Sequence, residues 1–349
     1  MCRAQQTKET GFLEPSPGQG AITIRVLSYL EAHGLVDQSG IGIAVRNTEK
    51  ALVETGAALA HTPREPFDVL HLHWVGPRSY ALARQARRQG RRVVLSLYTP
   101  PDLVRGSFNL DRALVRAYGS YLRLFARQVD LFIVPSSYAA HTVSPLANGR
   151  PVRVVSSGVD LERFRFDADE RAAFRKAHAL DRPTVLSVGQ VIPRKGVETF
   201  LEVARLLPDV RFLWIGPRVH PLLFYSPRFE RLLRHRPENT RFTGFVKGIE
   251  SAYCGCDVFL HPSHGESLGL VILEAAAVGM PLVVRRLPVY GGWLNEHENC
   301  LMGEDPQEFA AAISAILAAR SPIPNGLARS HALDRVASDL LQAYSEVLA

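Results

Sequence analysis

Two glutamates, Glu266 and Glu274, bracket a turn in the segment His261-Pro-Ser-His-Gly-Glu-Ser-Leu-Gly-Leu-Val-Ile-Leu-Glu274. An apolar strand ends at His261, a short polar loop follows, and a helix is expected from about Ser267. The start of a helix offers unpaired backbone N–H groups and the positive end of the dipole, which together suit a diphosphate. Ser267, Leu268 and Gly269 would present those amides, and a glycine at 269 lets a ligand come close to the backbone. Eight helical residues span roughly 12 Å, so the two carboxylates could address opposite ends of one elongated anion. The plainer alternative is an acidic cap on an amphipathic helix.

A second segment repeats the logic. Val188-Gly189-Gln190-Val-Ile-Pro-Arg194-Lys195-Gly196 reads as strand, glycine, polar turn and helix. Lys195 could neutralise charge developing on a departing diphosphate, with Arg194 beside it. Otherwise these are solvated bases at a capping turn. Gly216 ends one further strand, and Gly244-Phe245-Val246 follows another. Gly40-Ile41-Gly42 opens a helix in the first half of the chain.

Such sites need a scaffold that lines up strand ends. Apolar runs at Ile22–Tyr29, Val69–Trp74, Arg92–Tyr98, Leu131–Pro135 and Val152–Ser156 alternate with helical stretches. These include Ala44–Leu59, Ser79–Gln89 and Asp111–Gln128. The alternation implies a parallel sheet with right-handed crossovers. A charged connector, Arg163–Leu180, precedes a second series with strands at Thr184–Gly189, Arg211–Gly216, Thr240–Val246, Val258–His261 and Pro281–Val284. The reading is α/β: two Rossmann-like, doubly wound domains facing a cleft. Residues 1–20 are expected to be flexible, 21–165 to form the first domain and 166–325 the second. Residues 326–349 are expected to form a helix packing back on the first.

The chain has 349 residues, and its formal net charge is +7. Twelve arginines against four acids, and no lysine, lie between His61 and Gln128. This stretch therefore carries the whole excess and suits phosphates or anionic lipid. No nucleic-acid-binding motif accompanies it. Arg112, Arg116, Arg123 and Arg127 are spaced to share one helix face, while Tyr121, Leu124 and Phe125 are expected toward the core. Cys254 and Cys256 lack metal-ligand spacing and read as apolar fillers. No apolar stretch approaches the length of a membrane span, so the expected location is cytoplasmic, with peripheral attachment to the inner face of a membrane.

The Glu266-x7-Glu274 turn followed by Ala275 and Gly279-Met-Pro281 resembles the signature of the retaining glycosyltransferases of family 4, whose fold is GT-B. The resemblance implies that Glu274 holds the ribose hydroxyls of a nucleotide sugar and that Glu266 contacts the transferred sugar. It places the base beside Gly216, Phe245 and Val246, and the diphosphate at Gly189, Gln190, Arg194 and Lys195. It sets Gly40 and Gly42 opposite the phosphates. No metal cofactor is implied; the donor would be UDP-linked, with GDP as the alternative. His71-Leu-His73-Trp, Arg105-Gly-Ser-Phe108 and Pro288-Val-Tyr-Gly-Gly-Trp293 narrow the resemblance to bacterial diacylglycerol glucosyltransferases.

Two positions depart from the family pattern. Gln190 stands where arginine is usual, and Ser96-Leu-Tyr98 stands where the family ends a strand in histidine. Tyr98 can donate a hydrogen bond but is no base near neutral pH; it is the expected acceptor-side residue, with His71 and His73 as alternatives. The catalytic set is thus Glu266, Lys195 and Tyr98. The acceptor would be a lipid hydroxyl, or else a soluble sugar, aminocyclitol or polysaccharide. A sugar-nucleotide epimerase and a non-catalytic nucleotide-sugar-binding protein are the other readings.

Overall fold

A computed structural model describes residues 24–31, 34, 39–100, 103, 111–218, 226–319 and 326–349, and for 111–115 the backbone alone. The expected N-terminal segment 1–20, the Arg105–Phe108 motif and the Arg112 side chain lie outside the described residues.

The first sheet contains β1 (Arg25–Tyr29), β2 (Ala58–Ala60), β3 (Val69–Leu72), β4 (Arg92–Ser96), β5 (Leu131–Val134) and β6 (Val152–Val154), all parallel, in the order β2-β1-β3-β4-β5-β6. The second contains β7 (Thr184–Val188), β8 (Arg211–Ile215), β9 (Thr240–Gly244), β10 (Val258–His261), β11 (Leu282–Arg285) and β12 (Leu301–Gly303), in the order β12-β11-β10-β7-β8-β9. In both, the order reverses partway along the sheet, which opens a crevice at the carboxyl ends of the strands.

Helices α1 (Gly40–Glu54), α2 (Pro77–Arg88), α3 (Asp111–Ala126) and α4 (Ser137–Val143) belong to the first series. Then come α5 (Ala168–His178), α6 (Val197–Leu206), α7 (Pro227–Arg234), α8 (Glu250–Gly255), α9 (Leu270–Val278), α10 (Pro306–Ala319) and α11 (Leu333–Leu348). Local chemistry sets their ends. The Ser39 side chain caps α1 by accepting from Ile41 N at 3.2 Å, and Asp167 caps α5 by accepting from Asp169 N and Glu170 N. Arg175 and Lys176 lie in the last turn of α5, where the dipole favours positive charge. α9 is apolar almost all round because it is covered on most sides, and it stops at Gly279 in the left-handed region.

Several elements differ from the sequence reading. The stretch read as helix to Leu59 ends at Glu54, and its last two residues, Ala58 and Leu59, belong to β2. Strand β12 and helices α4, α7 and α8 were not expected; each is short, so its periodicity is too brief to register. The helix expected from Ser267 begins at Leu270. In α3, Phe125 is buried and Tyr121 half-buried, but Leu124 is 43% exposed, so it does not face the core.

Apolar side chains cover each sheet on both faces. One face of the first sheet packs Val26, Val69, Val94 and Leu131 against Leu333, Val336, Leu340 and Tyr344 of α11. Helix α11 also packs along α1, and the Tyr344 hydroxyl meets His71 Nδ1 at 2.7 Å in the interior. The crossing between the two sheets is pinned beside residue 158. Val159 N donates to His331 O, Asn47 Nδ2 donates to Gly158 O at 2.8 Å, and Lys50 pairs with Asp160 at 2.6 Å.

Leu340 is 2% exposed. Leu340→Ala should therefore cost about 2–5 kcal/mol through lost burial and the residual cavity. The loss should be carried by the first domain, although the residue lies at the far end of the chain. Urea unfolding followed by hydrogen exchange checks this: amides of β1, β3 and β4 should lose protection before those of β7 and β8.

Candidate active site

Three neighbouring strands of the second sheet end in glycine. Gly189 follows β7, Gly216 follows β8 and Gly244 closes β9. Gly189 N donates to Ile215 O and Gly216 N to Gly244 O, both at 2.9 Å, so the three chains stay in register beyond the strands. A Cβ at Gly216 would lie 1.9 Å from Gly189 O, and its φ of +151° also disfavours side chains. The Trp214 indole N–H donates to Gly189 O from below at 2.8 Å. The result is a backbone shelf without side chains. Phe245 stands at its edge, 49% exposed and outside the strand in which it was expected, and Val246 follows it, half-buried. Gln190 is half-buried on the β7 side of this shelf.

The next layer is a clamp around the loop before α9. A Cβ at Gly196 would lie 2.1 Å from Pro262 O, so only glycine lets the Lys195 turn sit against this loop. Arg194 holds the loop twice: its guanidinium donates to Gly265 O, and its carbonyl accepts from His264 N. Gly269 is left-handed at φ +95°, and α9 begins immediately after it. The amides of 267–269 therefore belong to a tight turn, and Ser267 O accepts a 2.7 Å hydrogen bond from Ser136 Oγ of the first domain.

Glu266 lies inside this clamp, 7% exposed. Its Oε1 accepts from Lys195 Nζ at 2.6 Å and from His261 Nε2 at 3.0 Å. Burial opposes the charge, but the adjacent ammonium and the imidazole N–H outweigh it and hold Glu266 well below the usual carboxylate range. Burial lowers the His261 pKa despite its carboxylate partner. The ring is thus a neutral donor with its proton on Nε2. Burial also lowers Lys195, with Glu266 opposing. His261 was read only as the end of a strand; its place five residues before Glu266 was the available signal.

Glu274 is held differently. It is 3% exposed on α9, and its Oε2 accepts from the Tyr253 hydroxyl at 2.6 Å. Burial pushes its carboxyl up to about 7. Tyr253 is 21 residues away on α8, a partnership that no local pattern announces.

In the first domain, Gly40 and Gly42 form the first turn of α1. His71 is fully buried between Ser96 Oγ and Tyr344, and burial drives its pKa down to about 3. The Tyr98 hydroxyl bonds His73 Nδ1 at 3.0 Å, and His73 Nε2 meets Ser28 Oγ at 3.2 Å. Ser28 in turn donates to Glu49 at 2.7 Å. Because Ser28 gives its proton to Glu49, His73 must donate through Nε2 and accept from Tyr98 through Nδ1. Burial raises the Tyr98 hydroxyl to about 12. Its oxygen is thus engaged inward, while its half-buried ring packs against the cluster of Leu30 and Val45.

Between the domains lies a cleft of ≈ 450 Å³, lined by Glu266, Arg194, His264 and Val289 of the second domain and by Leu103 and Tyr138 of the first. The Glu266 carboxylate and the Arg194 guanidinium line this cleft, with the Lys195 ammonium 2.6 Å from Glu266; such a set can bind a diphosphate and stabilise charge on it as a bond breaks.

Two family models match the chain: "Glycosyltransferase Family 4" over residues 40–163 and "Glycosyl transferases group 1" over 182–319. Among curated proteins, the processive diacylglycerol alpha-glucosyltransferase of Acholeplasma laidlawii is 29% identical over 334 residues, 93% of this chain and 99% of that one. The sulfoquinovosyl transferase of Arabidopsis thaliana is 32% identical, over 63% of this chain and 42% of its own. Among solved structures, a sucrose-phosphate synthase from Thermosynechococcus elongatus aligns with TM-score 0.76 at 19% identity, over 93% of this chain and 99% of that one. Anabaena HepE, determined with UDP-glucose, aligns with TM-score 0.71 at 15% identity, over 93% of this chain and all of its own.

The raised Glu274 carboxyl has a consequence that needs no ligand. Its pKa is near 4.5 when unfolded and about 7 when folded. The folded state therefore binds the extra proton, and stability falls as pH rises from about 4.5 through 7. Glu274→Gln removes that loss. The variant's gain in Tm over the wild type should be small at pH 4.5 and largest above pH 7, as measured by scanning calorimetry. A gain independent of pH would contradict the assignment.

Proposed function

The chain belongs to glycosyltransferase family 4, and on that premise we propose that it moves glucose from UDP-glucose to a hydroxyl of a diacylglycerol-type lipid, with retention at the anomeric carbon. The geometry that carries this reading is the Lys195–Glu266–His261 cluster at the turn into α9. It joins a phosphate-accepting edge to a hydrogen-bonding carboxylate in one cleft. The acceptor class is supported by the near full-length likeness to an enzyme named for diacylglycerol. The donor is supported by the fold neighbour determined with UDP-glucose.

In this reading the uracil rests on the glycine shelf beside Phe245 and Val246, and Glu274 takes the ribose hydroxyls. The diphosphate meets Gln190, Arg194, Lys195 and the amides of Ser267, Leu268 and Gly269, with Gly40 and Gly42 facing it from α1. The sugar then falls against Glu266. The acceptor hydroxyl attacks the anomeric carbon on the face from which the diphosphate departs. Its proton passes to the diphosphate oxygen as the glycosidic bond forms and the C1–O bond breaks. The protein positions the two partners and balances the departing charge. Lys195 supplies positive charge there; Gln190 supplies only a hydrogen bond. The Tyr98 ring, rather than its hydroxyl, would meet the acceptor side.

A lipid acceptor requires the enzyme to meet a bilayer. Arg116 and Arg123 are exposed on α3 and Arg127 just after it, with the half-exposed Leu124 among them. Arg84 and Arg88 are exposed on α2. Each such base near an anionic surface contributes about 1 kcal/mol. Among the described residues no helix is long and apolar enough to cross a membrane.

Incubation with a panel of nucleotide sugars and membrane lipid extract, followed by mass spectrometry, tests the reaction. A hexose added to diacylglycerol with UDP-glucose alone is the expected result; transfer only to soluble sugars would overturn the acceptor. Lys195→Ala should reduce kcat more than it raises KM, because its partner gains charge at the transition state. Vesicle sedimentation should require anionic lipid and weaken with salt. It should also weaken when Arg112, Arg116, Arg123 and Arg127 become glutamine. Equal binding to neutral vesicles would remove this surface.

A further inference from the structure

We infer that Tyr253 is a positioning residue for nucleotide binding: its hydroxyl fixes Glu274 Oε2, so that Oε1 is the oxygen that meets the ribose. The inference rests on the reading of Glu274 as the ribose-binding carboxylate.

The geometry is specific. Tyr253 is fully buried in the short helix α8, its ring edge-on to Phe164 with centroids 5.8 Å apart and tilted against Phe259 at the same separation. A ring packed on both sides cannot swing, so its hydroxyl is delivered to one point. That point is Glu274 Oε2, at 2.6 Å; the other acceptor near the hydroxyl, Val271 O, lies 3.5 Å away. Among the described residues Oε1 receives no hydrogen bond. A tyrosine hydroxyl has one proton, so the contact settles which carboxylate oxygen is occupied.

The contact also acts on charge. Burial disfavours the ionised form of Glu274, while the Tyr253 hydroxyl and the Arg163 guanidinium favour it and Glu250 opposes it. Arg163 is itself paired with Glu250 at 3.0 Å, which weakens its pull on Glu274. Tyr253 is therefore the main group keeping Glu274 within reach of ionisation near neutral pH. An ionised carboxylate accepts from two ribose hydroxyls without competing for a proton; a protonated one gives up part of that capacity.

The test compares UDP with 2′-deoxy-UDP by calorimetry across pH 5.5–9. Both carry the same diphosphate, so the ratio of their affinities cancels the titration of the phosphate and isolates the ribose contact. In the wild type, UDP should bind more tightly, and its advantage should grow as pH rises through about 7. Tyr253→Phe keeps the packed ring and removes the hydroxyl. It should reduce the UDP advantage about tenfold at pH 7, the cost of one hydrogen bond to a charged group. It should also move the rise to higher pH, with recovery toward pH 9. In a Glu274→Gln background the pH dependence should vanish, and Tyr253→Phe should cause no further shift.

The outcomes separate. Equal wild-type affinity for the two nucleotides removes the ribose reading itself. A wild type that discriminates, with a Tyr253→Phe variant that keeps the same advantage and midpoint, overturns the role of Tyr253 alone. A uniform loss of affinity for both nucleotides, without a midpoint shift, assigns Tyr253 to packing and likewise overturns it.

Discussion

A carboxylate almost removed from water must be kept charged by its neighbours, and much of the second domain serves that end at Glu266. Lys195 reaches it because the turn at Gly196 presses against Pro262 O, where a side chain could not fit. His261 reaches it from the end of β10. Arg194 braces the loop between them through its side chain and its carbonyl. Eight residues on, Glu274 sits in an equally dry place but has a neutral partner, so its carboxyl rises toward 7 instead. One short segment thus holds two acids shifted in opposite directions, and their partners, not their own chemistry, decide which is which.

The first domain is attached to this arrangement through backbone as much as side chains. Ser136 caps α4 and also donates to Ser267 O, so the turn into α9 is set partly from across the cleft. Asn47 and Lys50, one turn apart on α1, hold the carbonyl of Gly158 and the carboxylate of Asp160 where the chain crosses between sheets. The same helix begins at Gly40 and supplies Glu49 to the chain of hydrogen bonds ending at Tyr98. A rotation of one domain against the other would strain the Ser136–Ser267 hydrogen bond first.

Much of this was legible in the sequence, for identifiable reasons. Long apolar strands and helices at regular intervals gave the two doubly wound sheets. The two segments around Lys195 and Glu266 stood out because glycine, charge and a helix start fell at fixed spacing. The partners that set the chemistry did not stand out. Tyr253 lies 21 residues from Glu274, and Tyr344 lies at the far end of the chain from His71, so only the folded chain brings them together. Tyr98 could be read as a substitution but not as inward-facing, because its orientation depends on His73, Ser28 and Glu49 on three other elements. Strand β12 and helices α4, α7 and α8 were too short for a period to declare itself.

Helix α11 covers the face of the first sheet formed by Val26, Val69, Val94 and Leu131. During synthesis that face is made early, and its cover only after the second sheet. Domains generally fold as they emerge, the N-terminal one first. Here the second sheet, with β12 ending at Gly303 and α10 at Ala319, can close its core before the first is able to. The nascent chain must therefore carry an open apolar surface through the translation of nearly two hundred further residues after β6. Ribosome-bound chains of this protein are thus expected to engage holdase chaperones over that interval.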